Sequence, residues 1–134
     1  ERLPRFPALE LTSASGAFAP VPAARACNVL YFWVPLNQQH RDVVKQLKTW
    51  QNRNVSIVSI NIDADSLAWR NTIRRDSVDW QQFWAPAGPM TEALKDVGIT
   101  TAPYYIVMDS ARVVKYRGAD LQKAEAVVKS ITGS

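Results

Sequence analysis

Residues Val29–Val34 read Val-Leu-Tyr-Phe-Trp-Val, an unbroken apolar run of β-branched and aromatic side chains. Such a run suits a central strand covered on both faces. It passes directly into Pro35-Leu36-Asn37-Gln38-Gln39-His40. From there Val43, Val44, Leu47 and Trp50 recur at helical spacing as far as about Asn52. Val55-Ser56-Ile57-Val58-Ser59-Ile60-Asn61-Ile62 follows, alternating apolar and polar residues, and reads as a strand ending at Asp63. A doubly covered strand, a helix and a second strand make a βαβ unit, which requires a sheet with helices packed on it.

The remaining elements are punctuated by turn and cap residues. Ala8–Thr12 and Ala17–Val21 are short strands around the turn Ser13-Ala14-Ser15-Gly16, a β-hairpin lead-in with proline at an edge. Asp65 or Ser66 caps a helix reaching about Asp76, with Leu67, Trp69 and Ile73 inward. Val78–Trp84 is a short strand or extended stretch, and Ala85–Pro89 a loop. Met90–Val97 is a short helix, stopped by Gly98 in the left-handed conformation. Tyr104–Met108 and Val113–Arg117 form a hairpin around Asp109-Ser110-Ala111-Arg112, and Leu121–Ile131 is a closing helix. The order predicts an α/β fold: a central mixed sheet flanked by helices on both faces, with an N-terminal β-hairpin.

The 134 residues, 47% of them hydrophobic and five of them tryptophan, suffice for one domain with one core. The net charge of +4 is scattered. Its densest group, Arg70, Arg74 and Arg75, lines one face of a helix. No longer basic stripe or supporting motif points to nucleic acid, so these arginines read as a solvated face. No apolar run is long enough to span a bilayer. Residues 1–7 hold no hydrophobic signal core, which leaves a cytosolic chain or a mature or excised domain without its targeting segment as the expectation. Cys27 is the single cysteine, so an internal disulfide is excluded. No Cys/His cluster has metal-ligand spacing, and neither metal nor cofactor is expected.

Several segments together resemble the TlpA/ResA-like (AhpC/TSA-type) thioredoxin-fold proteins of bacterial envelopes. They are Leu30–Val34, Val58–Asp63, Ala68-Trp69, Val78-Asp79-Trp80, and Gly98-Ile99-Thr100-Thr101-Ala102-Pro103 running into Tyr104–Asp109. The resemblance extends from about Leu9 to Ile131, and the tryptophan-bearing middle is similar to Bacteroidetes-type envelope versions, often the C-terminal module of a larger lipoprotein. It implies a thioredoxin-like domain at 28–134, with residues 1–27 as an N-terminal extension carrying the hairpin within the same domain. In that family a Trp-Cys-x-x-Cys motif follows the Phe-Trp strand. Carried over, its tryptophan falls on Leu36, its cysteines on Asn37 and His40, and its cis-proline on Pro103 after Ala102.

That departure decides the chemistry. A thiolate at a helix N-terminus is stabilised by free N–H groups and the macrodipole, and exchange needs a second thiol to resolve the mixed disulfide. Asn37-Gln38-Gln39-His40 offers no sulfur, so dithiol–disulfide exchange is excluded at this position. The reading that follows is a degenerate, redox-inactive module, structural or binding a protein or peptide in the bacterial periplasm or cell envelope, with fused domains of a larger protein as further partners. Its contacts are expected at Leu36, Asn37, Gln38, Gln39 and His40 and at Thr101, Ala102, Pro103 and Tyr104. The alternative is an oxidoreductase of the TlpA/ResA type acting through Cys27 and an external thiol. A third is a small-molecule binder in a tryptophan-lined pocket.

Single residues carry two readings each. Asn37 is an N-cap or a hydrogen-bonding contact for bound peptide. His40 is a surface or capping histidine, or a proton acceptor or ligand contact beside Pro103. Cys27, just before the central strand, is a small partly buried residue or a reactive thiol. Ala102 offers backbone groups to an extended peptide. Asp63 and Asp109 read as turn or cap residues. Trp84, beside Ala85–Pro89, is the expected exposed aromatic platform.

Overall fold

A computed structural model of the chain describes residues 6–7, 9–22, 25–51, 54–63, 65–85 and 87–133, apart from the side chains of residues 66, 89 and 93. The expected helix end at Asn52 and the loop residue Pro86 lie outside the described residues. Seven strands form one mixed sheet in the order β2-β1-β5-β4-β3-β6-β7. They are β1 (Glu10–Ser13), β2 (Phe18–Pro20), β3 (Cys27–Trp33), β4 (Val55–Asn61), β5 (Gln81–Trp84), β6 (Tyr104–Asp109) and β7 (Val114–Gly118). The helices are α1 (His40–Trp50), α2 (Ser66–Asp76), α3 (Glu92–Val97) and α4 (Leu121–Thr132). Strands β3, β4 and β5 run parallel, while β1 against β5, β6 against β3 and β7 against β6 are antiparallel.

The apolar run becomes β3, every residue of which is buried. Period-two alternation sends its side chains to two cores. Cys27, Val29, Tyr31 and Trp33 face a layer built with Val43, Val44 and Leu47 of α1, Trp69 of α2, and Ala124 and Val128 of α4. Leu30 and Phe32 face the other layer, with Leu94 of α3, Ile99, and the N-terminal Phe6, Leu9 and Leu11. The expected helices on both faces are therefore present, with α3 and the N-terminal segment covering the second.

The alternating polar residues of β4 are covered along with the apolar ones. Ser59 and Asn61 are buried. Ser59 Oγ accepts from Trp80 Nε1 at 2.8 Å, and Asn61 Oδ1 accepts from the Asp63 backbone N–H at 2.8 Å. Ser59 and the Asn61 carbonyl oxygen each gain a partner, which offsets part of the cost of covering them, while Asn61 Nδ2 has none among the described residues. The cover is aromatic. Trp69 packs on this layer and stacks on Trp84, ring centroids 5.7 Å apart. Asp65 starts α2 by accepting from the N–H groups of Leu67 and Ala68, both at 3.0 Å. Gly98 ends α3 at φ 76°, the conformation its lack of a Cβ permits. Glu125 ties α4 to α1 by accepting from Trp50 Nε1 at 3.0 Å and from Gln46 Nε2.

The parallel strands β3, β4 and β5 all end at one pole, followed there by residues 34–39, by 62, 63 and 65, and by 85 and 87–91. The segment leading into β6 reaches the same pole, because Tyr104 pairs with Phe32. Trp69→Ala would empty a fully buried position and remove the stack on Trp84. It is expected to destabilise the fold by about 3–5 kcal/mol, read as a lower urea midpoint at unchanged slope.

Candidate functional site

The chain leaves β3 through two tight turns before α1 begins. Asn37 N–H donates to Val34 O at 3.2 Å, and His40 N–H donates to Asn37 O at 3.1 Å. Asn37 Oδ1 accepts from the Gln39 N–H at 2.8 Å. The side chain thus closes an Asx-type turn ahead of the helix. The helix begins two residues later than an Asn37 cap would require. Its N-cap is Gln39, which gives no side-chain cap. Leu36 is 88% exposed, Gln38 and Gln39 are exposed, and Asn37 is half-buried.

His40 goes the other way. It is 2% exposed, so the surface-histidine reading is replaced by a buried one. Its Nδ1 lies 2.9 Å from the Tyr31 hydroxyl and its Nε2 lies 2.7 Å from Asp76 Oδ2. One tautomer satisfies both bonds: Nε2–H donates to the carboxylate and Nδ1 accepts the Tyr31 O–H. The imidazole stacks on Trp33 with centroids 4.3 Å apart, and Tyr31 in turn stacks on Tyr105 at 5.5 Å. Burial first, then Tyr105 and the Asp76 carboxylate, push the Tyr31 phenol well above its ordinary range, so it remains a donor. Tyr105 is pushed up to about 12, again by burial first and then by Tyr116. The position carried over from the family's second cysteine is therefore an internal lock joining β3, α1 and α2.

The Ala102–Pro103 peptide bond is cis. Thr101 is exposed, while Ala102, Pro103 and Tyr104 are half-buried. Two grooves flank this loop. One, of about 690 Å³, is lined by Gln39 and Val43 of α1, Pro103, Tyr116, and the start of α4 at Leu121–Lys123. The other, of about 390 Å³, is lined by Val34, Ile62, Asp63, Gly88, Thr101 and Ala102. Gln39 and Pro103 are thereby brought together, as are Val34 and Ala102. Leu36, Asn37 and Gln38 line neither groove, and His40 is buried directly after Gln39. Tyr104 turns toward the second core, edge-on to Phe32 at 6.4 Å, and its hydroxyl accepts from Arg117 Nε at 2.8 Å.

Two further expectations change. Trp84 is half-buried, pressed on Trp69, and donates Nε1–H to Asp63 O at 2.7 Å, so it walls the pole rather than forming a platform. Cys27 is the first residue of β3, wholly buried and paired in register with Val55 and Asp109. Six residue steps of strand separate it from Trp33, roughly 20 Å at about 3.3 Å per step. Burial pushes its thiol up from 9.0 to about 11. The structure thus adds Tyr31 and Asp76 to the site. Neither stands in a motif, and the one available signal was the polar tyrosine hydroxyl inside an apolar strand.

A mixed sheet with parallel β3 and β4, an antiparallel β6–β7 hairpin, helices on both faces and a cis-proline loop opposite the start of α1 defines a thioredoxin-type protein. The chain belongs to the Thioredoxin-like family, whose model matches residues 26–114. Three solved structures share the fold. The C-terminal domain of a candidate thiol-disulfide oxidoreductase from Bacteroides thetaiotaomicron is 23% identical, with TM-score 0.75 and 97% of each chain covered. A thiol-disulfide oxidoreductase from Bacteroides fragilis is 21% identical, with TM-score 0.75 over 92% of this chain and 97% of that one. The thioredoxin domain of a thiol-disulfide oxidoreductase from Bacteroides vulgatus is 19% identical, with TM-score 0.74 over 93% and 96%. No curated protein matches the sequence. No helix among the described residues is long and apolar enough to cross a membrane.

His40→Ala strands the Tyr31 hydroxyl and the Asp76 carboxylate in the core and is expected to cost about 3–5 kcal/mol, measured by chemical denaturation. Cys27 is expected to resist iodoacetamide in the native state and to react once urea unfolds the chain, as followed by mass spectrometry. Because its folded pKa is raised, its contribution to stability is full below 9.0 and is lost as pH rises towards about 11. Cys27→Ala should flatten the fall in stability over that window.

Proposed function

We propose that this domain is a redox-inactive member of its family that holds an extended segment of a partner protein across the pole formed by Gln39 and Pro103. One observation carries the reading: His40 is locked inward onto Tyr31 and Asp76, while the groove between Gln39 and Pro103 stays open. The rim offers backbone groups at Thr101–Pro103 and amide side chains at Asn37, Gln38 and Gln39, a set suited to strand-like peptide recognition without a nucleophile. The buried Cys27, with its thiol pushed up to about 11 at the far end of β3, supports a passive role for the one sulfur that could react. The resemblance to TlpA/ResA-like proteins supports a place in the bacterial cell envelope, as a module within a larger assembly.

Two measurements test this. Insulin reduction by dithiothreitol should proceed at the same rate with and without the purified domain, and any acceleration dependent on Cys27 sinks the proposal. Peptides selected on an array should shift the NMR signals of Gln39, Val43 and Tyr116. Gln39→Arg, which fills the groove with a long cation, should weaken them roughly tenfold, the scale of about 1.4 kcal/mol. Selected peptides that shift none of these residues would remove the pole as the contact surface.

A further inference from the structure

A separate groove of about 600 Å³ lies on the flank of the sheet, between the β1–β2 turn and α2. It sits towards the beginning of β5, away from the Gln39–Pro103 pole, and is independent of the function proposed there. Arg70 and Arg74 line it from one face of α2, four residues apart. The Arg70 guanidinium lies 5.5 Å over the Trp69 ring, which holds it in place. No carboxylate lines the groove among the described residues, and neither arginine takes part in the ion pairs formed there. Two unneutralised guanidinium groups therefore border one concavity. Arginine is the side chain best matched to a carboxylate or phosphate.

The rest of the lining is not a plain solvated helix face. Ile73, Val78 and Trp80 give it an apolar floor, and Trp80 is fixed by its bond to Ser59 Oγ at 2.8 Å. Ser13 and Ser15 line the opposite wall with their hydroxyls paired at 2.8 Å. One O–H donates within that pair and the other remains free to donate outward. Gln82 also lines the groove, is 8% exposed, and its Oε1 has no hydrogen-bond partner among the described residues.

We propose that this groove binds a small organic anion: an oxyanion head between Arg70 and Arg74 and a flat apolar body over Ile73, Val78 and Trp80. The volume is in the range of small-molecule sites. Hippurate, which combines a carboxylate, an amide N–H and a ring, is the first probe, and phenyl phosphate tests the other head.

The experiment is a titration of the intact chain followed by the NMR signals of the Trp80 indole N–H and the Gln82 side-chain amide. Hippurate should shift both at millimolar concentration, and its neutral amide should not. Arg70→Gln with Arg74→Gln should weaken it by roughly tenfold or more, since charge-assisted bonds are lost. Both positions are exposed, so the double variant should keep its urea midpoint. Tighter binding of phenyl phosphate than of hippurate assigns a phosphate head, and the reverse a carboxylate. The proposal is overturned if neither organic anion shifts these signals, if the double variant binds unchanged, or if inorganic phosphate binds as well as phenyl phosphate, which would leave the apolar floor unused.

Discussion

The pole of this molecule is organised by the imidazole of His40, held between the Tyr31 hydroxyl at 2.9 Å and the Asp76 carboxylate at 2.7 Å and laid flat on Trp33. Three elements meet there: β3 supplies the tyrosine and tryptophan, α1 the histidine, and α2 the aspartate. A buried polar network of this kind is stable only when every member is satisfied. Its two hydrogen bonds do more than fill space, because they fix the start of α1 against the end of α2. The Asx-type turn at Asn37 and the exposed rim at Gln38 and Gln39 inherit their positions from that anchor.

In a dithiol protein of this fold the same helix start serves to ionise sulfur. Here its charge-stabilising capacity is used locally. The Asn37 side chain takes the Gln39 N–H, and the chain turns on itself before the helix begins. What remains at the surface is a neutral, amide-rich lip facing a proline loop. Neutral amides recognise backbone rather than charge, which is what the proposed strand-like recognition at the pole would use.

Much of the architecture was legible because it is written in neighbouring residues. The Asp65 cap with its two N–H partners and the Gly98 stop depend on contacts within four residues, and the unbroken apolar run at Val29–Val34 announces a doubly covered strand by itself; each appears close to where the sequence places it. The site was less legible because its decisive contacts are distant. Asp76 is 36 residues beyond His40, so nothing near the histidine announces its burial. The same holds for Ser59, whose partner Trp80 lies 21 residues on. Trp84 likewise looked exposed beside a proline-rich loop, and only the fold brings Trp69 against it. The cis-proline loop entered through family likeness, since a proline alone does not reveal its isomer.

The burial of Cys27 at the closed end of β3 has one more consequence. Nothing that holds this fold together changes its covalent state when the surroundings turn from oxidising to reducing, because the sheet, the two cores and the histidine anchor contain no accessible sulfur. With a single cysteine, the chain has no internal disulfide to form or break as the surroundings change.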